Sequence, residues 1–287
     1  MRRMCPNQRA RPVLKPLDSS YRARAIPLGT RRYWSWLFAA AETRAPLLGI
    51  YALSAEWQAL LDPAVDAGVA HLKLAWWQEE MQRLAAASPV HPIGAYLAAL
   101  PRAAVVDFAP LQAAVAAAAA QLNGAPLERG ADLEPQSQAL WGGPLALASQ
   151  LAAESEDDAS LRSCTAALAA AEYLSKSLRG YRREARAGRV PFAIEELMAA
   201  GVENADLAAD TPPAVLQNYL DQVRVRAAEY FDTAAEALPR AEQARHRHLL
   251  VLAALGMRHL SRGASSPPRS LFKDMLLAWK TARRTHS

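Results

Sequence analysis

Cysteine is almost absent from this sequence: Cys5 and Cys164 are the only two in 287 residues. Two such residues can build neither a disulfide framework nor a cysteine-based metal site, and the usage fits a reducing, cytoplasmic setting. No run of 18 or more apolar residues occurs, so no membrane-spanning helix is expected. The N-terminus is basic but has no apolar stretch behind it, which excludes a secretory signal, and Pro6, Pro12 and Pro16 interrupt any amphipathic helix there. A glycine-rich phosphate loop and a Gly-x-Ser-x-Gly elbow are both lacking, so neither nucleotide hydrolysis nor serine hydrolysis has its usual motif. His246 and His248 stand two apart, facing different directions on a helix, and are not expected to share a metal.

What is abundant is alanine, within a chain that is 52% hydrophobic, while β-branched residues are sparse. Alanine loses no side-chain entropy in a helix, whereas Val, Ile and Thr do, so the composition predicts an all-α fold. The pattern divides into a basic, flexible arm over 1–29 and one helical domain over 30–287. Helices are expected over 42–61, 63–86 (with Leu72, Trp76 and Leu84 facing inward), 93–100, 110–123, 159–186, 214–237, 241–263 and 270–284. Gly142-Gly143-Pro144 should bend or restart a helix over 135–154, and Gly188 should end the long one before it. The acids Glu154, Glu156, Asp157 and Asp158 are read as serving a helix N-terminus in preference to a metal. The last helix carries Leu271, Met275, Ala278 and Trp279 near one face and Lys273, Lys280, Arg283 and Arg284 elsewhere; docking on the bundle is expected, with the basic tip available to lipid.

Four separated segments, RRYWSWLFAAAETRAPLLGIYALSAEW (31–57), HLKLAWWQEEM (71–81) with HPIG (91–94), LWGGPLALASQLA (140–152), and LSKSLRGYRREARAGRVPFAIEELMAAGV (174–202), resemble the squalene/phytoene synthase family and follow its order. The resemblance implies a single helical bundle of the isoprenoid synthase type around a central cavity. It further implies two facing Asp-x-x-x-Asp motifs that hold Mg²⁺ against the diphosphates of prenyl substrates. An i, i+4 spacing puts both carboxylates on one helix face, and magnesium takes hard oxygen ligands.

The acids are mostly replaced here. Counting from Tyr51-Ala52-Leu53, the first motif falls on Gln58, Ala59 and Asp62; counting from Leu178-Arg179, the second reads Gly180 and Glu184, with Lys176 where the family has asparagine. Asp62 and Asp66 have i, i+4 spacing, but Pro63 lies between them. Such a pattern is closest to a divergent branch of the family that includes a mitochondrial complex I assembly factor. The leading expectation is therefore a non-catalytic isoprenoid- or lipid-binding or assembly protein that needs no cofactor. The alternative is an active Mg²⁺-dependent prenyltransferase working with Asp62, Asp66 and Glu184, its metal held by Asp62 and Glu184. Substrate contacts are expected from Tyr51, Gln58, Trp76, Trp77, Lys176, Arg179 and Arg183. Expected partners are an isoprenoid diphosphate or lipid, a protein, and the inner face of a membrane met peripherally. Nucleic acid is not expected.

Overall fold

The computed structural model describes residues 15–153, 159–261 and 270–285. Within them the chain is all α-helical, with no strand. The helices are α1 (Ser19–Ala25), α2 (Arg31–Phe38), α3 (Ala41–Leu60), α4 (Ala67–Ala85), α5 (Pro92–Ala98), α6 (Ala109–Leu122), α7 (Leu133–Ser137) and α8 (Gly143–Ala152). They continue with α9 (Ala159–Arg186), α10 (Ile194–Ala199), α11 (Asn204–Ala208), α12 (Ala214–Glu236), α13 (Arg240–Gln243), α14 (Arg247–Leu260) and α15 (Leu271–Arg284).

The 28-residue helix α9 is the axis of the bundle. Ala167, Ala169, Ala170 and Ala171 are all buried, so neighbours approach its middle on several sides without a bulky side chain between them. α12, α14, α8 and the segment before α8 pack around it, and α3 lies beyond, against α8. Past Ser177 the apolar residues give way to Arg179, Arg182, Arg183 and Arg186, and this basic end emerges from the core. Gly188 then stops the helix with φ +75°. Arg189 N–H bonds the Glu184 carbonyl and Gly188 N–H bonds the Ala185 carbonyl, both at 2.9 Å. This Schellman closure requires a left-handed residue, which only glycine adopts without strain. It also returns the Arg189 side chain toward Glu184.

Between α7 and α8 the backbone widens into a π turn over Gln138–Gly142, where Gly143 N–H reaches the Gln138 carbonyl. Pro144 has no N–H to offer Leu140, so the regular ladder fails at the place where the sequence predicts a bend. A Cβ on Gly142 would lie 1.9 Å from the Gln138 side-chain oxygen and 3.0 Å from the Thr165 carbonyl of α9. Close approach to α9 thus dictates glycine here and presents Trp141 inward.

Four expectations need correction. α4 begins at Ala67, after Asp66 caps it by accepting Val69 N–H at 2.9 Å, and not at Pro63. Its buried stripe is Ala70, Leu74, Trp77, Met81 and Leu84, whereas Leu72 and Trp76 are 75% and 39% exposed. Apolar residues surround this helix, so its partners, Trp57 and His91 packing on Trp77, select the phase that periodicity left ambiguous. The stretch 1–29 is not all irregular arm: Leu17, Ala25 and Ile26 join the core and α1 lies within it, while residues 1–14 are outside the described residues. The acids at 154 and 156–158 also fall outside the described residues. The helix expected over 241–263 is broken, with His246 between α13 and α14.

Candidate functional site

The C-terminal half of α3, the π turn and the middle of α9 enclose two chambers that meet at one wall. The outer chamber, about 400 Å³, lies between Leu61, the end of α6 and the basic end of α9. The inner chamber, also about 400 Å³, lies between the loop before α2, α3, α8 and α9. Trp141, Lys176 and Arg179 line both. A small void of about 20 Å³ beside Gln58, Trp57 and Leu140 shares Trp141 and Lys176 with both.

The charges on these walls are unequally matched. Arg31 makes two bonds to Glu172 at 2.6 and 2.7 Å, and Arg24 pairs with Glu56 at 2.8 Å, so those four charges cancel. Arg32 has a neutral partner: its Nη2 donates to the Gln58 amide oxygen at 2.8 Å, and its guanidinium lies 5.6 Å from the Tyr51 ring and 5.8 Å from the Trp141 ring. Lys176 has its ammonium 5.9 Å from the Trp141 ring, and no carboxylate lies in ion-pair contact with it among the described residues. Burial lowers the Lys176 pKa, with Glu184 partly restoring it; burial likewise lowers that of Arg32. A desolvated cation without a carboxylate beside it is costly, and an incoming anion relieves that cost.

Tyr51 is fixed rather than free to react. Its hydroxyl lies 3.0 Å from Ser35 Oγ, which donates to the His248 carbonyl at 3.1 Å. Burial raises the phenol pKa to about 12. Its buried ring places a face under Arg32.

The two surviving acids are clasped by arginines. Asp62 accepts Ala64 N–H at 3.0 Å and lies 3.4 Å from Arg183. Glu184 lies 2.6 Å from Arg189 and 3.6 Å from Arg183. Arg189 also donates to the Leu61 carbonyl at 3.3 Å. Two guanidinium groups therefore tie the end of α9 to the end of α3, across the gap between the two motif positions.

The squalene/phytoene synthase sequence profile matches residues 28–283. The chain belongs to that family. Its fold is similar to a dehydrosqualene synthase solved with a ligand, with TM-score 0.65, 14% identity and coverage of 89% of this chain and 92% of that one. It is equally similar to squalene synthase HpnC from Alicyclobacillus acidocaldarius, with TM-score 0.65, 16% identity and coverage of 93% and 94%. No curated protein matches the sequence.

Family members are typically Mg²⁺-dependent. The residues at the motif positions of this family member do not fit a magnesium cluster. Gln58 has a neutral oxygen already used by Arg32, Gly180 has no ligand atom, and Asp66 serves as a helix cap. Asp62 and Glu184 face guanidinium groups that a metal would have to displace. Among the described residues no group of three or more His, Cys, Asp and Glu converges to hold a metal.

Of the residues expected at the site, Lys176, Arg179, Arg183 and Glu184 line the outer chamber, and Tyr51, Gln58, Lys176 and Arg179 the inner one. Asp62 adjoins the outer chamber through Arg183. Trp76 and Trp77 do not line either chamber. Trp77 packs edge-on against Trp57 within the core, and Trp76 lies outside it, near His91 and Arg83. The sequence reading missed Arg32, Trp141 and Arg189. Arg32 and Trp141 sit inside quoted motifs, but their convergence depends on α2 and the π turn meeting α9. The Arg189 signal was present: a residue two past Ala187 in a glycine-stopped helix folds back over the last turn.

Proposed function

We propose that this chain is a non-catalytic member of the squalene/phytoene synthase family that binds the diphosphate or phosphate of an isoprenoid or lipid directly, without a metal. The observation that carries the reading is the charge arrangement. Among the described residues no carboxylate is paired with Arg32 or Lys176 on the chamber walls, while Asp62 and Glu184 are engaged by Arg183 and Arg189. The anionic head would rest against Lys176, Arg32 and Arg179, with the Trp141 face beside it, and the apolar tail would follow Ile50, Leu145 and Leu252 in the inner chamber.

Ionising an allylic diphosphate requires strong stabilisation of the leaving group as charge develops. Fixed cations that already hold the ground-state diphosphate supply binding, which lowers free energy of substrate and transition state alike. On this reading the chain retains the family's cavity and has lost its chemistry. Membership of the divergent branch that includes a respiratory complex I assembly factor, a protein partner and a cytoplasmic setting are further parts of the proposal.

Calorimetric titration with farnesyl diphosphate in EDTA tests it. The expected result is binding in EDTA that magnesium does not strengthen, and about tenfold weaker binding by Lys176→Met, equivalent to roughly 1.4 kcal/mol. Binding that appears only with magnesium and is lost in Asp62→Ala and Glu184→Ala would overturn the proposal and restore the prenyltransferase reading.

A further inference from the structure

Helix α15 docks on the bundle by its small residues and turns its large ones outward. Asp274, 2% exposed, lies 2.9 Å from both Arg258 Nε and His259 Nε2 of α14. Ala278 and Ala282 pack with Trp34, Val251 and Leu255. That seam fixes the rotation of the helix. Leu271, Phe272, Met275 and Trp279 are left 52%, 67%, 36% and 42% exposed. The expectation that Leu271, Met275 and Trp279 share the docked face is thereby corrected; only Ala278 of that group is buried.

The exposed apolar residues lie on one arc, since 271, 275 and 279 follow at intervals of four and 272 sits beside them. Leu28, 77% exposed, extends the patch, because the neighbouring Gly29 meets Leu271: a Cβ there would lie 2.4 Å from Leu271 Cδ2. The rest of the exposed surface of α15 is basic, with Lys273, Lys280, Arg283 and Arg284. Asp274, the helix's one acid, is buried and ion-paired, so it does not offset them. Arg283 lies 4.9 Å from the Trp279 ring, joining the apolar arc to the basic one.

We infer that α15 and Leu28 form a surface that docks on an anionic lipid bilayer. Large apolar side chains flanked by lysine and arginine suit the boundary between acyl chains and headgroups, and long basic side chains reach the phosphates while their stems stay apolar. The charge complementarity selects a bilayer over an acidic protein, because a protein groove would need to cover the projecting Phe272 and Trp279 as well as four dispersed cations. Docking also has a geometric consequence. Pro27 and Thr30, on either side of Leu28 and Gly29, line the inner chamber, so its mouth would open beside the membrane. The inference does not depend on what the chamber binds.

Flotation of the full chain with vesicles tests it, using phosphatidylcholine alone or mixed with phosphatidylglycerol, and no prenyl lipid. The chain should float with the mixed vesicles, remain behind with phosphatidylcholine, and detach as salt rises. Lys280→Glu and Arg283→Glu should each reduce partitioning by about fivefold or more. Phe272→Glu and Trp279→Glu should abolish it with an unchanged melting temperature, since both side chains are exposed. Equal binding to both vesicle types, or binding indifferent to these four substitutions, would overturn the inference. So would a failure to float combined with a stable dimer in solution that Phe272→Glu dissociates, which would assign the patch to a second copy of the chain.

Discussion

His248 shows how a single residue can fix the pH response of the fold while taking no part in the site's chemistry. Its carbonyl accepts the Ser35 hydroxyl that orients Tyr51, and its ring is fully buried with no hydrogen-bond partner for either nitrogen among the described residues. Burial, with His246 and Arg247 nearby, lowers its pKa from 6.5 to about 3. Between those values the unfolded chain binds a proton that the folded chain does not, so stability falls as pH drops below about 6.5. Chemical denaturation from pH 7 to pH 4 should show a loss of a few kcal/mol. His248→Leu should flatten that slope, and an unchanged slope would remove His248 as its source. The acid positions are also a residue-scale matter. Gln58 and Gly180 are visible in the sequence as replacements, but the engagement of Asp62 by Arg183 and of Glu184 by Arg189 is not. It depends on the Schellman turn and on the meeting of two helix ends, where Asp62 and Arg183 are 121 residues apart in the chain.

At the scale of elements, the helices with strong punctuation were the legible ones. α9 runs over the residues expected, and Gly188 stops it as read. α3 and α12 each match within one residue, because prolines and a loop bracket them. The phase of α4 was not legible: Leu72 and Trp76 have the same four-residue spacing as Ala70 and Leu74, and only the tertiary partners distinguish the two stripes. α15 failed for a related reason, since a buried Asp274 paired with Arg258 and His259 outweighs the apolar pattern in setting its rotation. The π turn was foreseen as a bend, while its consequence, Trp141 on the shared wall, was not. Gly142→Ala tests the turn. The added methyl must displace Gln138 and press on the Thr165 carbonyl, so a loss of about 1–3 kcal/mol in unfolding free energy is expected. A variant as stable as the parent would show that the π turn and α9 are not in close contact there.

For the molecule as a whole, the bundle supplies a cavity, and the residues on its walls determine what the cavity can do. The family and the all-α fold were readable because four motifs keep their order along the chain. The two-chamber arrangement was not, because the wall is assembled from α2, α3, the π turn and α9, no two of which are informative alone. On the proposed reading, a cavity lined by Arg32 and Lys176, which no carboxylate pairs among the described residues, and by arginine-clasped acids holds a diphosphate without expelling it. The most direct test is diphosphate release by the purified chain from farnesyl or geranylgeranyl diphosphate with Mg²⁺, with and without NADPH. The account predicts release no faster than from a heat-inactivated sample, alongside binding of the same substrate in EDTA. Release above that control, abolished by Asp62→Ala or Glu184→Ala, would contradict it.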